Sequence, residues 1–121
     1  MWREFFPYCV VVTGSRHWTD YKKMSNRLML LPQGTLIVEG GAPGADLMAR
    51  NFALKRCWPF LEIPADWVKF GKPAGPRRNR QMLSLKPDLV LAFHEDISSS
   101  KGTKDCMDEA VRRQIPVELI A

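Results

Sequence analysis

Short apolar, β-branched runs alternate with longer stretches whose apolar positions recur every three or four residues, and glycine or proline marks the changeovers. Tyr8 to Thr13 is the first run; it is apolar on both faces, as in a buried parallel strand, and stops at Gly14. Asp20 is placed to cap a helix carrying Met24, Leu28 and Leu31 at helical spacing, with Pro32 and Gly34 ending it. Thr35 to Glu39 reads as the second strand, and Gly40-Gly41-Ala42-Pro43-Gly44 turns the chain into a helix from Ala45 to about Arg56. Phe60 to Ile63 is the third strand, followed by a loop from Pro64 to Gly75 and a helix over Pro76 to Ser84, with proline in the first turn. Leu89 to Phe93 is the fourth strand. A polar, serine-rich loop then leads to a helix opened by Gly102-Thr103 and running through Arg113, and Val117 to Ile120 closes the series.

This alternation predicts a single α/β domain over residues 1–121, a Rossmann-like three-layer fold. Right-handed crossovers make the five-stranded sheet mainly parallel, in the order 3-2-1-4-5, with helices on both faces. In such sheets ligands sit beyond the carboxyl ends of the strands, where the strand order reverses. Gly14, Gly40, Gly41 and Gly102 all follow expected strands and precede helices, so they share that edge.

Length and composition fit this picture: 121 residues, 45% hydrophobic and 26% charged, are ordinary for one globular domain. The early apolar stretch, Tyr8 to Val12, is far shorter than the ~18 residues of a membrane span, and no cleavage-site pattern accompanies it. Neither a signal peptide nor a membrane partner is expected. Cys9, Cys57 and Cys106 are widely spaced and lack CxxC or histidine-ligand spacing, which suggests neither a disulfide frame nor zinc and points to a reducing, cytoplasmic setting. Glu95 and Asp96 have no companion acidic cluster, so no metal and no cofactor are expected. The net charge of +5 suits a nucleic-acid surface and an anion pocket equally; its densest stretch is Lys69 to Arg80.

Four loops carry candidate chemistry. In Thr13-Gly14-Ser15-Arg16-His17-Trp18, a hard turn is followed by a hydroxyl and a guanidinium that suit phosphate oxygens, although a plain βα turn explains them equally. Gly40, Gly41 and Gly44 let backbone amides approach an anion, while Asp46 also suits simple helix capping. Arg77, Arg78, Asn79 and Arg80 open a helix with donors for bidentate contacts, the alternative being a solvated basic face. Gly102, Thr103 and Asp105 begin the last helix behind three serines. His17 and His94 follow strands and read as hydrogen-bonding residues before catalytic bases. Trp18 and Trp67 lie where they can stack on a base, and Trp58 reads as core or interface.

The blocks Val12-Thr13-Gly14-Ser15-Arg16, Gly40-Gly41-Ala42-Pro43-Gly44-Ala45-Asp46, Pro64-Ala65-Asp66-Trp67, Ala74-Gly75-Pro76-Arg77-Arg78-Asn79 with Met82, and Gly102-Thr103-Lys104-Asp105 resemble, in order, the YspA-like (cpYpsA-related) branch of the SLOG superfamily. The resemblance covers nearly the whole chain. It implies a Rossmann-like pocket for a nucleotide or nucleotide-derived ligand, in a protein of bacterial or phage type. The implied site comprises Gly14, Ser15, Arg16, Trp18, Gly40, Gly41, Gly44, Asp46, Arg78, Asn79, Gly102 and Thr103. It also implies a homodimer or larger even assembly. The expected role is a sensor or sequestering module.

One departure weakens the enzyme alternative. The related Lonely Guy phosphoribohydrolases end a PGGxGTxxE motif on a catalytic glutamate, and the matching position here is Cys106, with Asp105 one residue short. Their second motif survives in Arg78 ahead of Met82, but its acid and lysine are replaced. Glycoside cleavage needs a placed carboxylate, which leaves Asp105 a weak candidate for an N-glycosidase acting on nucleotide monophosphates. Single-stranded nucleic-acid binding is a further alternative, resting on charge and on kinship to the DNA-binding Smf/DprA proteins. A final expectation is geometric: Arg16 and Arg78 converge with the Gly40-Gly41 and Gly102-Thr103 amides on one anion-sized site.

Overall fold

Cys9, Val10, Val11 and Val12 are completely enclosed in the computed structural model, which describes residues 2–121. They form β1 (Cys9–Gly14), and its alternation sends Val10 and Val12 into one core layer and Cys9 and Val11 into the other. A strand apolar on both sides demands helices on both sides. β1 pairs in parallel with β2 (Leu36–Glu39) on one edge and β4 (Leu89–Phe93) on the other. β3 (Phe60–Glu62) and β5 (Val117–Ile120) complete a fully parallel sheet in the order β3-β2-β1-β4-β5, as the alternation predicts.

Helices α1 (Tyr21–Leu28) and α2 (Ala45–Arg56) cover one face, packing Met24, Leu28, Ala49, Phe52 and Ala53 on Val10, Val12 and Ile37. After the short α3 (Trp67–Phe70), α4 (Ala74–Leu83) and α5 (Gly102–Arg112) cover the other face through Met82, Leu83, Cys106 and Ala110. The pairs Arg3–Asp88 (2.6 Å) and Arg27–Glu118 (2.9 Å) lie at the surface. Such pairs contribute about 0–1 kcal/mol, whereas each fully buried large apolar side chain contributes about 1.5–3 kcal/mol, so the two apolar layers set the stability.

The elements differ from the sequence pattern in three places. α1 stops at Leu28, a turn before Pro32, because the chain tightens there: Leu30 N–H donates to Arg27 O and Leu31 N–H to Leu28 O. Leu31 still reaches the core. The expected loop from Pro64 contains α3, begun by Asp66, whose side chain accepts from Lys69 N–H at 3.0 Å. α4 starts at Ala74 rather than Pro76; proline is accommodated because first-turn amides have no intrahelical acceptor to lose. Trp58 packs edge-on against Phe52 with ring centroids 5.2 Å apart, in keeping with its core reading.

Gly14 is where β1, β4 and α2 come closest. A Cβ there would run into Phe93 O and lie 2.7 Å from Ala45 Cβ, and neither backbone nor helix can yield. Gly14→Ala is therefore expected to destabilise the fold by about 1–3 kcal/mol, the usual cost of overpacking, measured as a lowered urea midpoint with unchanged m-value.

Candidate functional site

β1 and β4 are neighbours whose connections leave towards opposite faces of the sheet, which opens a crevice beyond Gly14 and Phe93. Ser15 closes its floor. Its amide donates to Phe93 O (2.9 Å), its hydroxyl donates to Glu95 Oε1 (2.7 Å) and accepts from His17 N–H (2.9 Å), and its carbonyl accepts from Ala45 N–H (3.0 Å). Ser15 thus ties the loops after β1 and β4 to the start of α2, and its hydrogen bond holds Glu95 below the usual carboxylate range. Arg16 is exposed beside it.

The Gly-rich loop behaves differently from the sequence expectation. Asp46 Oδ2 accepts from Gly40 N–H and Ala42 N–H, both at 3.2 Å, and Glu39 Oε2 accepts from Gly41 N–H at 3.1 Å. The amides expected to face a ligand anion are held by the protein's own carboxylates. Gly41 and Gly44 adopt φ of +76° and +80°, the left-handed conformations that let the loop wrap around these groups. Asp46 is buried, and burial pushes its carboxyl up to about 6 against the opposing pull of the Ala42 amide, Arg78, the Gly40 amide and Arg16. Two guanidiniums from distant loops therefore bear on one buried carboxylate.

Arg78 comes from α4, on the opposite face of the sheet from α2, and its Nη1 donates to Gly40 O at 2.9 Å. Gly40 is needed for this reach, since a Cβ there would collide with the guanidinium. Asn79 Oδ1 accepts from Arg78 Nε (3.1 Å), while its Nδ2 donates to Gly102 O (3.2 Å) and Asp105 Oδ2 (3.0 Å). This chain links the start of α5, through α4, to the Gly-rich loop. The Thr103 amide, expected to face an anion, donates to Ser100 Oγ (3.1 Å), which also accepts from Lys104 N–H (3.3 Å).

Other residues sort by burial. Trp18 is only 5% exposed, packs edge-on against Phe93 and donates from its indole to Asp20 O. Trp67 is half exposed over Gly75. Burial pushes the Cys106 thiol up to about 12, which favours its neutral form. His94 is buried and accepts from Asp96 N–H through Nδ1, and His17 lies at the surface.

Sequence reasoning missed Glu39 and Glu62. Glu39 is wholly buried at the carboxyl end of β2, no donor reaches its Oε1, and Glu62 lies beside it across the β2–β3 pair. Burial first, then the hydrogen bond and charge of Glu62 and the charge of Asp46, push Glu39 up to about 9. Glu62 in turn pairs with Arg50 at 3.3 Å. The available signal was a lone acid closing the apolar strand Leu36-Ile37-Val38, just before the glycines.

Fold and site together define a Rossmann-like α/β protein with a charged crevice at its strand-order reversal. The chain belongs to the YspA, cpYpsA-related SLOG family, whose model matches residues 8–70. It is 39% identical over 117 residues to the Gene 61 protein of Mycobacterium phage D29, covering 89% of this chain and 92% of that protein. Its fold is similar to that of DNA processing protein A (DprA) from Streptococcus pneumoniae, with a TM-score of 0.76 and 20% identity over 98% of this chain. The chain spans about half of the DprA chain, 52%. Among the described residues no helix is long and apolar enough to cross a membrane.

Between the ordinary value of 4.5 and about 9, folded Glu39 keeps a proton that the unfolded chain has released. Its contribution to stability therefore falls as pH rises through that window, and Asp46 adds the same sign up to about 6. Glu39→Gln keeps the shape and the neutral state, and its amide can donate to Glu62 as the acid does. The variant is expected to melt at a higher temperature than the parent at pH 8–9, the difference shrinking towards pH 5. Parallel slopes for both proteins in calorimetry across this range would contradict the assignment.

Proposed function

We propose that the protein binds a nucleotide or nucleotide-derived ligand in the crevice at the carboxyl ends of its strands, acting as a sensor or sequestering module. The observation that carries this reading is the reach of the Arg78 guanidinium to Gly40 O, just beyond the carboxyl end of β2, on the same edge of the sheet as the exposed Arg16 after β1. A ligand phosphate meets two guanidiniums there. Family membership supports the same reading. Ser15, Gly40, Gly44, Asn79 and Gly102 then act by shaping the loops and holding Arg78, while Arg16 and Arg78 make the ligand contacts.

N-glycoside cleavage is the second reading, favoured by one observation: the Asp46 carboxyl is pushed up to about 6, close to where a general acid works. The fixed hydrogen bond from Asn79 to Asp105 supports a positioning role for that residue instead. A homodimer also belongs to the proposal, with Met29, Leu30 and Leu54 as exposed apolar residues on the α1–α2 side. Light scattering at micromolar concentration is expected to return twice the monomer mass; a monomer would count against it.

Arg16→Ala and Arg78→Ala are expected to weaken nucleotide binding roughly ten- to a hundredfold in calorimetric titration, from the loss of a charged hydrogen bond. Arg→Lys exchange is expected to restore only part. Unchanged affinity in both alanine variants would refute the site. Mass spectrometry of the titrated nucleotides separates the readings: intact ligand supports binding alone, and free base with the ribose phosphate supports hydrolysis.

A further inference from the structure

Arg78 faces two ways. Besides reaching Gly40, it lines an open cleft of about 750 Å³ on the α3–α4 side of the molecule. The cleft wall carries Lys69, Arg77, Arg78, Arg80 and Arg113, against Asp66 as its lining carboxylate. The Asp66 carboxylate already accepts the Lys69 amide, and Arg113 is paired with Glu109 at 3.0 Å. Among the described residues Lys69, Arg77, Arg78 and Arg80 have no carboxylate within ion-pair distance. The Phe70 ring holds Arg77 with its guanidinium carbon 4.0 Å from the ring centroid and Lys69 with Nζ at 5.1 Å. A guanidinium held against a ring has its donor edge oriented in advance, and this lowers the ordering cost of gripping an oxyanion.

Three further cations without an ion-pair partner, Lys69, Arg77 and Arg80, beside Arg78 around one concavity exceed what a single phosphate on Arg16 and Arg78 requires. We infer that the cleft is a second phosphate subsite continuous with the crevice through Arg78, so that the ligand carries a chain of phosphoryl groups: a nucleoside polyphosphate rather than a monophosphate. The inference rests on the nucleotide reading of the crevice and deepens it. The volume lies within the range of small-molecule sites, roughly 300–1,000 Å³. The inner phosphate meets Arg16 and Arg78 at the strand ends, and the outer ones extend along α4 to Arg77 and Arg80, with Lys69 as a compact counter-charge.

The test is calorimetric titration of the full chain with inorganic phosphate, inorganic tripolyphosphate, the purine nucleoside mono- and triphosphates, and oligothymidylates of increasing length. Tripolyphosphate is expected to bind at least about tenfold more tightly than phosphate, and triphosphates at least about tenfold more tightly than their monophosphates. Arg80→Ala and Arg77→Ala, both at exposed positions, are expected to bring these ratios close to one while leaving monophosphate affinity unchanged; Arg16→Ala lowers mono- and triphosphate binding together. A ratio near one in the parent, or a ratio indifferent to Arg77 and Arg80, overturns the subsite while leaving the nucleotide reading intact. Tripolyphosphate binding that depends on Arg80, without any preference for nucleotides, keeps the subsite and overturns the nucleotide reading. Oligothymidylate affinity that climbs with length and exceeds that of tripolyphosphate assigns the cleft to a single strand and overturns the proposal, as does the absence of binding by every probe.

Discussion

The contact between β1 and β4 at Gly14 is the constraint on which the ligand end of the molecule depends. β1 lies between β2 and β4, and at its last residue the backbone of Phe93 and the first residue of α2 both press against the α-carbon. That closeness brings Ser15 within reach of Phe93, Glu95 and Ala45 at once. Three loops that begin far apart in the chain are thereby held against one another. A side chain at Gly14 would separate the layers and with them the groups from which the crevice is made.

The second organising feature is electrostatic. Backbone amides ahead of a helix attract acceptor oxygens, and here the protein supplies its own to the Gly-rich loop, from the carboxyl groups of Asp46 and Glu39. Enclosing carboxyl groups away from water favours their neutral form, and both are shifted upward, Glu39 further because Glu62 stands beside it. The arginines lie further out, Arg16 exposed and Arg78 half-buried. Asn79 fixes Arg78 by accepting from its Nε and anchoring itself to Gly102 and Asp105, so the guanidinium is positioned before a ligand arrives. Pre-positioned donors lose less freedom on binding.

The order of strands, the sidedness of the helices and the edge bearing the glycines were legible in the sequence, because each follows from a local pattern. An apolar run of strand length must be covered, and an intervening helix forces parallel pairing. That the loop after β1, which carries Arg16, lies beside the reversal point was legible for the same reason, since topology alone puts it there. That Trp18 packs on Phe93 was not legible, because an aromatic in a loop shows nothing of whether the loop folds back on the core. Glu39 escaped notice because its neighbour Glu62 lies across a strand pair, a relation that no local window contains.

By itself the sequence determined the layered α/β architecture and the set of loops that can hold a ligand, since hydrophobic periodicity and turn residues act over a few positions. The tertiary structure alone decided which donors remain free at that edge. A backbone amide or hydroxyl looks equally available wherever glycine and serine occur. Whether Asp46, Glu39 or Ser100 has already claimed it depends on side chains meeting across loops, and only the packed fold brings them together.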